Sequence, residues 1–98
     1  MSAEPIACTL SSGDRGERIG AWRQLLARAD SRERIDGGLR FSLPASLAGL
    51  TAELAAAEQQ CCTFLEFTLH LTGGALDLEV RAPAEAFPVL RDVFSASA

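Results

Sequence analysis

Lysine is missing from this sequence altogether, and all nine basic residues are arginines scattered among thirteen acids. No basic block forms, and the formal net charge is -4. Binding to DNA or RNA calls for a basic face, so no direct nucleic-acid binding is expected of this chain. Alongside abundant alanine, the missing lysine reads as the codon usage of a GC-rich genome rather than as a functional device. No apolar run approaches the ~20 residues of a membrane span, so no membrane association is expected. The opening Met1-Ser2-Ala3-Glu4-Pro5 lacks the basic and apolar segments of a signal peptide. A cytoplasmic location is the resulting expectation. There is no GxSxG, P-loop, dinucleotide fingerprint or HExxH. The paired CxxC of a zinc ribbon or a thioredoxin is also missing.

What is present suits one small globular domain covering residues 1–98, with an ordered core of about 6–95. Ile6 to Leu10 alternates apolar with small or polar residues and predicts a short strand containing Cys8. Asp14-Arg15-Gly16-Glu17 fits a capping box. Ile19, Trp22, Leu25, Leu26 and Ala29 then recur at helical spacing, which leaves Arg15, Arg18, Arg23 and Arg28 on the wetter side. The polar run Asp30 to Arg34 is expected to end that helix or form the loop beyond it.

Gly37-Gly38 marks a turn, and Leu39 to Leu43 alternates strictly, as a one-faced strand does. Pro44 stops it. Ser46 is the expected N-cap of a second helix, whose apolar stripe runs Leu47, Leu50, Leu54, Ala57, Cys61. Glu58 and Cys62 share a neighbouring strip, four residues apart. Phe64 to Leu71 and Ala75 to Arg81, joined at Gly73-Gly74, read as a β-hairpin. Pro83 opens a third helix. The aromatic residues Trp22, Phe41, Phe64, Phe67, Phe87 and Phe94 read as core. The expected fold is α+β in the order β-α-β-α-β-β-α, a two-layer arrangement. Its four-stranded, mainly antiparallel sheet carries the helices on one face.

The candidate chemistry centres on sulfur. Three cysteines cannot all pair within one chain, and in a reducing compartment they read as core thiols, metal ligands or a redox-active pair. Cys61 and Cys62 stand at a helix–strand junction. Neighbouring helical positions diverge by ~100°, so Cys61 continues the apolar stripe and Cys62 points to its side. At a frayed helix end both sulfurs can converge on one soft ion such as mercury, copper(I), zinc, cadmium or arsenite. Cys8 would complete a trigonal set, and Glu58 or His70 would add a fourth ligand. His70, the only histidine, falls by alternation on the polar side of its strand, where an exposed histidine is the plainer reading.

Several segments recur here in a recognisable order: Cys8-Thr9-Leu10, Arg18-Ile19-Gly20-Ala21-Trp22 and Gly38-Leu39-Arg40-Phe41. Ala57-Glu58-Gln59-Gln60-Cys61-Cys62-Thr63-Phe64 and Leu78-Glu79-Val80-Arg81-Ala82-Pro83 follow. Together they resemble the C-terminal, effector-like region of some MerR-type metal-responsive transcriptional regulators of GC-rich bacteria, and small stand-alone proteins similar to it. The resemblance implies heavy-metal sensing with Cys61 and Cys62, and further off Cys8, as effector ligands. The winged helix-turn-helix and the long dimerisation helix of those regulators have no counterpart in this sequence, so DNA binding is not carried over.

Three readings of the thiols compete. One is a sensor-like or buffer-like domain that binds a soft metal or metalloid. Another is a structural or protein-interaction domain whose cysteines pack its core. The third is a thiol-dependent enzyme, which needs at least one thiol of depressed pKa. The apolar content permits a homodimer through an edge strand, or a partner regulator protein, without specifying either.

Overall fold

The protein is described by a computed structural model covering residues 12–94, with all side chains in that span except those of residues 12–16, Cys61, Val89, Asp92 and Val93. Helix α1 runs Ser12–Leu26, strand β1 Ser31–Ile35 and strand β2 Gly38–Pro44. A 3-10 turn at Ala45–Leu47 leads into helix α2, Ala48–Cys61. Strands β3, Glu66–Thr72, and β4, Ala75–Arg81, follow, and a second 3-10 turn, Ala84–Ala86, opens helix α3, Phe87–Phe94. The fold is α+β, with a four-stranded antiparallel sheet in the order β1-β2-β4-β3.

From the first helix onward the expected order holds, with one strand added. The expected strand Ile6–Leu10, and with it Cys8, lies outside the described residues, as does the side chain of Asp14. The polar segment expected to be a helix end or loop is instead β1 from Ser31 onward. It pairs with β2 from Ser31↔Ser42 to Ile35↔Gly38. Its side chains are exposed except for the half-buried Ile35, so its place is held by the backbone ladder rather than by burial. The turn between the two strands is Asp36-Gly37, with Gly37 at φ 79°, a left-handed position suited to glycine. The β3–β4 hairpin closes through Gly73 (φ 58°) and Gly74 (φ 82°), the sign combination of a type I′ turn.

Strand alternation sorts the sheet into two faces. Leu39, Phe41 and Leu43 of β2 stand opposite Val80, Leu78 and Leu76 of β4, which in turn oppose Phe67, Leu69 and Leu71 of β3. This face is covered by the helices. Trp22, Leu25 and Leu26 of α1, Ala55 of α2, and Leu90 and Phe94 of α3 form one core with Phe41, Leu43, Leu76, Leu78 and Val80. Trp22 lies at its centre, stacked on Phe67 at 5.8 Å between ring centroids and meeting the edge of Phe94 at 4.8 Å. Phe87 does not join this core: it is 40% exposed, and Leu71 on the outer strand is 58% exposed.

The other face of the sheet is open and charged. Glu33, Arg40 and Glu79 follow one another across β1, β2 and β4. The guanidinium of Arg40 bridges both carboxylates, and Arg81 pairs with Glu79 at 2.7 Å. Hydrogen bonds from Arg81 first, and then from Arg40, hold the Glu79 carboxyl below the usual glutamate range. In return the hydrogen bond to Glu79 raises the Arg40 pKa further.

The second helix departs from its expected start and orientation. Ser46 lies inside the 3-10 turn, and α2 begins without a side-chain cap. Its buried strip is Thr51, Ala55, Glu58 and Cys62, while Leu50 of the expected apolar stripe is 48% exposed. The hydroxyl of Thr51 donates to the carbonyl of Leu47 at 2.8 Å, which removes the cost of burying it.

Candidate functional site

Spacings of four, three and four residues put Thr51, Ala55, Glu58 and Cys62 in line on one side of α2. Glu58 is 3% exposed and Cys62 1% exposed, so a carboxylate and a thiol are packed together inside the fold. Such burial is costly unless the charge is paired and its oxygens are hydrogen-bonded.

The partners come from α1. Trp22 Nε1 donates to Glu58 Oε1 at 3.1 Å, and Arg18 Nη1 reaches the same oxygen at 3.3 Å. Arg18 and Trp22 are four residues apart, so one strip of α1 supplies both donors. Cys62 Sγ lies 3.4 Å from the other oxygen, Oε2, toward which its thiol donates. The two carboxylate oxygens are therefore divided between nitrogen donors and sulfur.

The end of α2 sets the position of that sulfur. Cys62 leaves the helical conformation, with φ -125° and ψ 78°, while its N–H still donates to the Glu58 carbonyl at 2.7 Å. Leu65 N–H then donates to the Cys62 carbonyl at 3.0 Å, and the side-chain amide of Gln59 reaches the Leu65 carbonyl. These bonds tie the link between α2 and β3 to the helix end and give the C-cap carbonyl of Cys62 a donor.

Of the residues singled out in the sequence, Glu58 and Cys62 are brought together. Cys62, expected to point to the side of the apolar stripe, is buried, because α2 is turned onto its Thr51–Cys62 strip. The Cys61 side chain and Cys8 lie outside the described residues. His70 is exposed on β3 opposite Asp77, on the sheet's open face, so the sheet separates it from Cys62. Among the described residues, no group of three or more His, Cys, Asp or Glu side chains assembles that could hold a metal ion.

Two participants were hidden in the sequence. Arg18, expected on the wet side of α1, is 20% exposed and paired with Glu58. Trp22, expected as core, is core and also supplies the one indole N–H to the carboxylate. Their four-residue separation is the signal that could have been read, but only with knowledge that an acid lay buried opposite.

Cys62 Sγ and Glu58 Oε2 are two donors side by side, and no third described side chain joins them to complete a metal site. With bond lengths near 2.3 Å to sulfur and 2.1 Å to oxygen, a tetrahedral ion would hold them about 3.6 Å apart. Cys62 Sγ and Glu58 Oε2 are already at 3.4 Å. Trp22 and Arg18 would serve such a site by orienting the carboxylate through its other oxygen.

Comparison with protein-family models, with curated proteins and with solved structures finds no match to this chain. No helix among the described residues is long and apolar enough to cross a membrane.

Proposed function

We propose that this domain captures a soft metal or metalloid ion through the vicinal thiols Cys61 and Cys62. Glu58 acts as an oxygen ligand or as the group that orients the site, and Cys8 is the third thiolate. The observation that supports this reading best is the 3.4 Å approach of Cys62 Sγ to a buried carboxylate oxygen, one residue from a second cysteine. Thiolates select mercury, copper(I), zinc or arsenite over hard cations.

The carboxylate also links α1 to α2, so an ion that replaced the thiol proton would act on the packing of both helices. That coupling suits a sensor or buffer, as the resemblance to metal-responsive regulators implies, and the cytoplasm, where thiols stay reduced, is its place. A partner regulator or a second copy of the chain would read the change.

A second reading, a structural or interaction domain with thiols as core, is favoured by one observation. Glu58 Oε1 already has two nitrogen donors and Oε2 has the thiol, an arrangement self-sufficient without an ion. Native mass spectrometry of the reduced protein, titrated with mercury, zinc, copper(I) and arsenite, separates the two. A one-to-one adduct that survives a competing small thiol, and is lost in a folded Cys61→Ser/Cys62→Ser variant, is the expected result. Absence of any adduct that survives competition would overturn the ion-binding reading in favour of the structural one.

A further inference from the structure

A sizeable recess lies apart from the residues around the thiol. It is a cleft of about 600 Å³ between the β1–β2 hairpin and α3. That is within the ~300–1,000 Å³ of typical small-molecule sites. Its wall and floor are apolar: Phe41 is fully buried, Leu90 is nearly so, and Phe87 stands 40% exposed at the mouth. Its charged residues include Arg32, Arg34 and Arg91.

The register explains why arginines line an apolar cleft. Arg32 stands opposite Phe41 and Arg34 opposite Leu39, so both share the helix-covered face of the sheet with apolar neighbours. Arg32 is held in place: its guanidinium lies 5.8 Å over the Phe41 ring and donates to the Leu26 carbonyl at the end of α1. Phe87, Leu90 and Arg91, at spacings of three and four, supply the facing side from α3. Arg34 is exposed and makes no ion pair or hydrogen bond among the described residues.

Two acids also border the cleft, Glu33 and Asp36. Glu33 belongs to the opposite strand face, where its carboxylate is taken by Arg40. Arg32 and Arg91 have partners of their own, which leaves Arg34 as the cation that the cleft offers to a ligand, on a chain whose net charge is -4. A polyanion would be repelled by the chain as a whole, whereas a single anionic group with an apolar body meets both features of the cleft. A carboxylate matches the planar guanidinium fork.

We propose that this cleft binds small organic carboxylates with an apolar body, of the kind represented by medium-chain fatty acids. The carboxylate lies on Arg34, and the body lies along the half-buried Leu39 with Phe87 closing over it. Neither Cys62 nor Glu58 lines the cleft, so this binding is independent of the thiol site.

The test is titration of the full chain with decanoate, below its micellar concentration, followed by amide NMR shifts and calorimetry. Saturable shifts confined to β1, the Asp36-Gly37 turn and α3 are expected. Decanol and acetate, the body and the charge alone, should each bind at least about tenfold more weakly than decanoate. Arg34→Gln, at an exposed position, should weaken decanoate about tenfold while leaving the melting temperature unchanged. Phe87→Asp should weaken it in a second, independent way. Absence of saturable shifts, decanol binding as tightly as decanoate, or shifts centred instead on Leu47, Leu50 and Leu54 would overturn the proposal.

Discussion

The indole Nε1 of Trp22 lies 3.1 Å from Oε1 of Glu58, joining two helices across 36 residues of sequence. Trp22 is fully buried and Glu58 almost so, which makes this a bond made inside the core rather than at its margin. A buried indole N–H needs an acceptor and a buried carboxylate needs donors, so each residue removes the cost of burying the other. The same carboxylate then faces Cys62, which links helix packing to the thiol.

Removing the carboxylate should therefore cost much more than neutralising it. Glu58→Ala leaves the Trp22 N–H, the Arg18 guanidinium and the Cys62 thiol without their acceptor, and a loss of about 3–5 kcal/mol is expected. Glu58→Gln keeps an acceptor oxygen and should cost about 1–2 kcal/mol. Urea unfolding of both variants at neutral pH measures the difference. Equal, small losses would show that the Trp22–Glu58 bond contributes little, as would a double-mutant cycle with Trp22→Phe that gives no coupling.

The Cys62 thiol should be shielded in the folded state. In a Cys8→Ser/Cys61→Ser background, its alkylation by iodoacetamide is expected to be at least about 100-fold slower in buffer than in concentrated urea, because reagent reaches it only after opening. Mass spectrometry over time gives both rates. Rapid labelling in buffer would mean that the α2–β3 link opens readily despite its hydrogen bonds.

Two glycines should respond in opposite directions to the same substitution. A Cβ at Gly38 would stand 1.8 Å from the Val80 carbonyl oxygen, so β2 and β4 must separate locally. Gly38→Ala is expected to cost about 3 kcal/mol or more. Gly20, within α1, has nothing within 4 Å of an added Cβ, and Gly20→Ala should stabilise by about 0.5–1 kcal/mol through helix propensity. Thermal melts of the two variants read the signs directly, and a destabilised Gly20→Ala would contradict the placement of that residue.

The open face of the sheet should contribute to acid sensitivity. The carboxyl of Glu79 is held below its ordinary value near 4.5 by Arg81 and then Arg40. Its stabilising contribution is therefore present above that ordinary value and is lost as pH falls through the depressed one. Glu79→Gln should be less stable than the parent at pH 7, with the gap closing below about pH 4.5. Melting temperatures from pH 2 to 7 test this, and a gap that stays constant over the range would rule out the ion pairs as its source.

Strand β1 was the element least visible in the sequence. Ser31-Arg32-Glu33-Arg34 has no buried alternation, because all four side chains of this outer strand stay exposed. Its one local signature is the Asp36-Gly37 pair ahead of the alternating β2, a common hairpin turn. By contrast, β2 and β4 each bury one face and leave the other wet, and that contrast is written residue by residue into their alternation.

The α2 site shows the limit from the other side. Periodicity pointed to Leu47, Leu50 and Leu54, yet the buried strip holds Thr51, Ala55, Glu58 and Cys62. A pattern of apolar residues assumes that polar ones avoid the core. That assumption fails where Leu47 offers a carbonyl to Thr51, and where Arg18, Trp22 and Cys62 serve Glu58.

By itself, then, the sequence determined the α+β class, the β3–β4 hairpin with its two glycines, the β2 alternation and the presence of three helices. Those features follow from local periodicity and turn chemistry, which act over a few residues. Only the tertiary structure decided which face of α2 is buried, that Trp22 and Arg18 hold Glu58, and that arginines of an edge strand meet an apolar cleft. Each of these depends on partners distant along the chain, and a buried polar group is stable or costly according to the partners that folding brings to it.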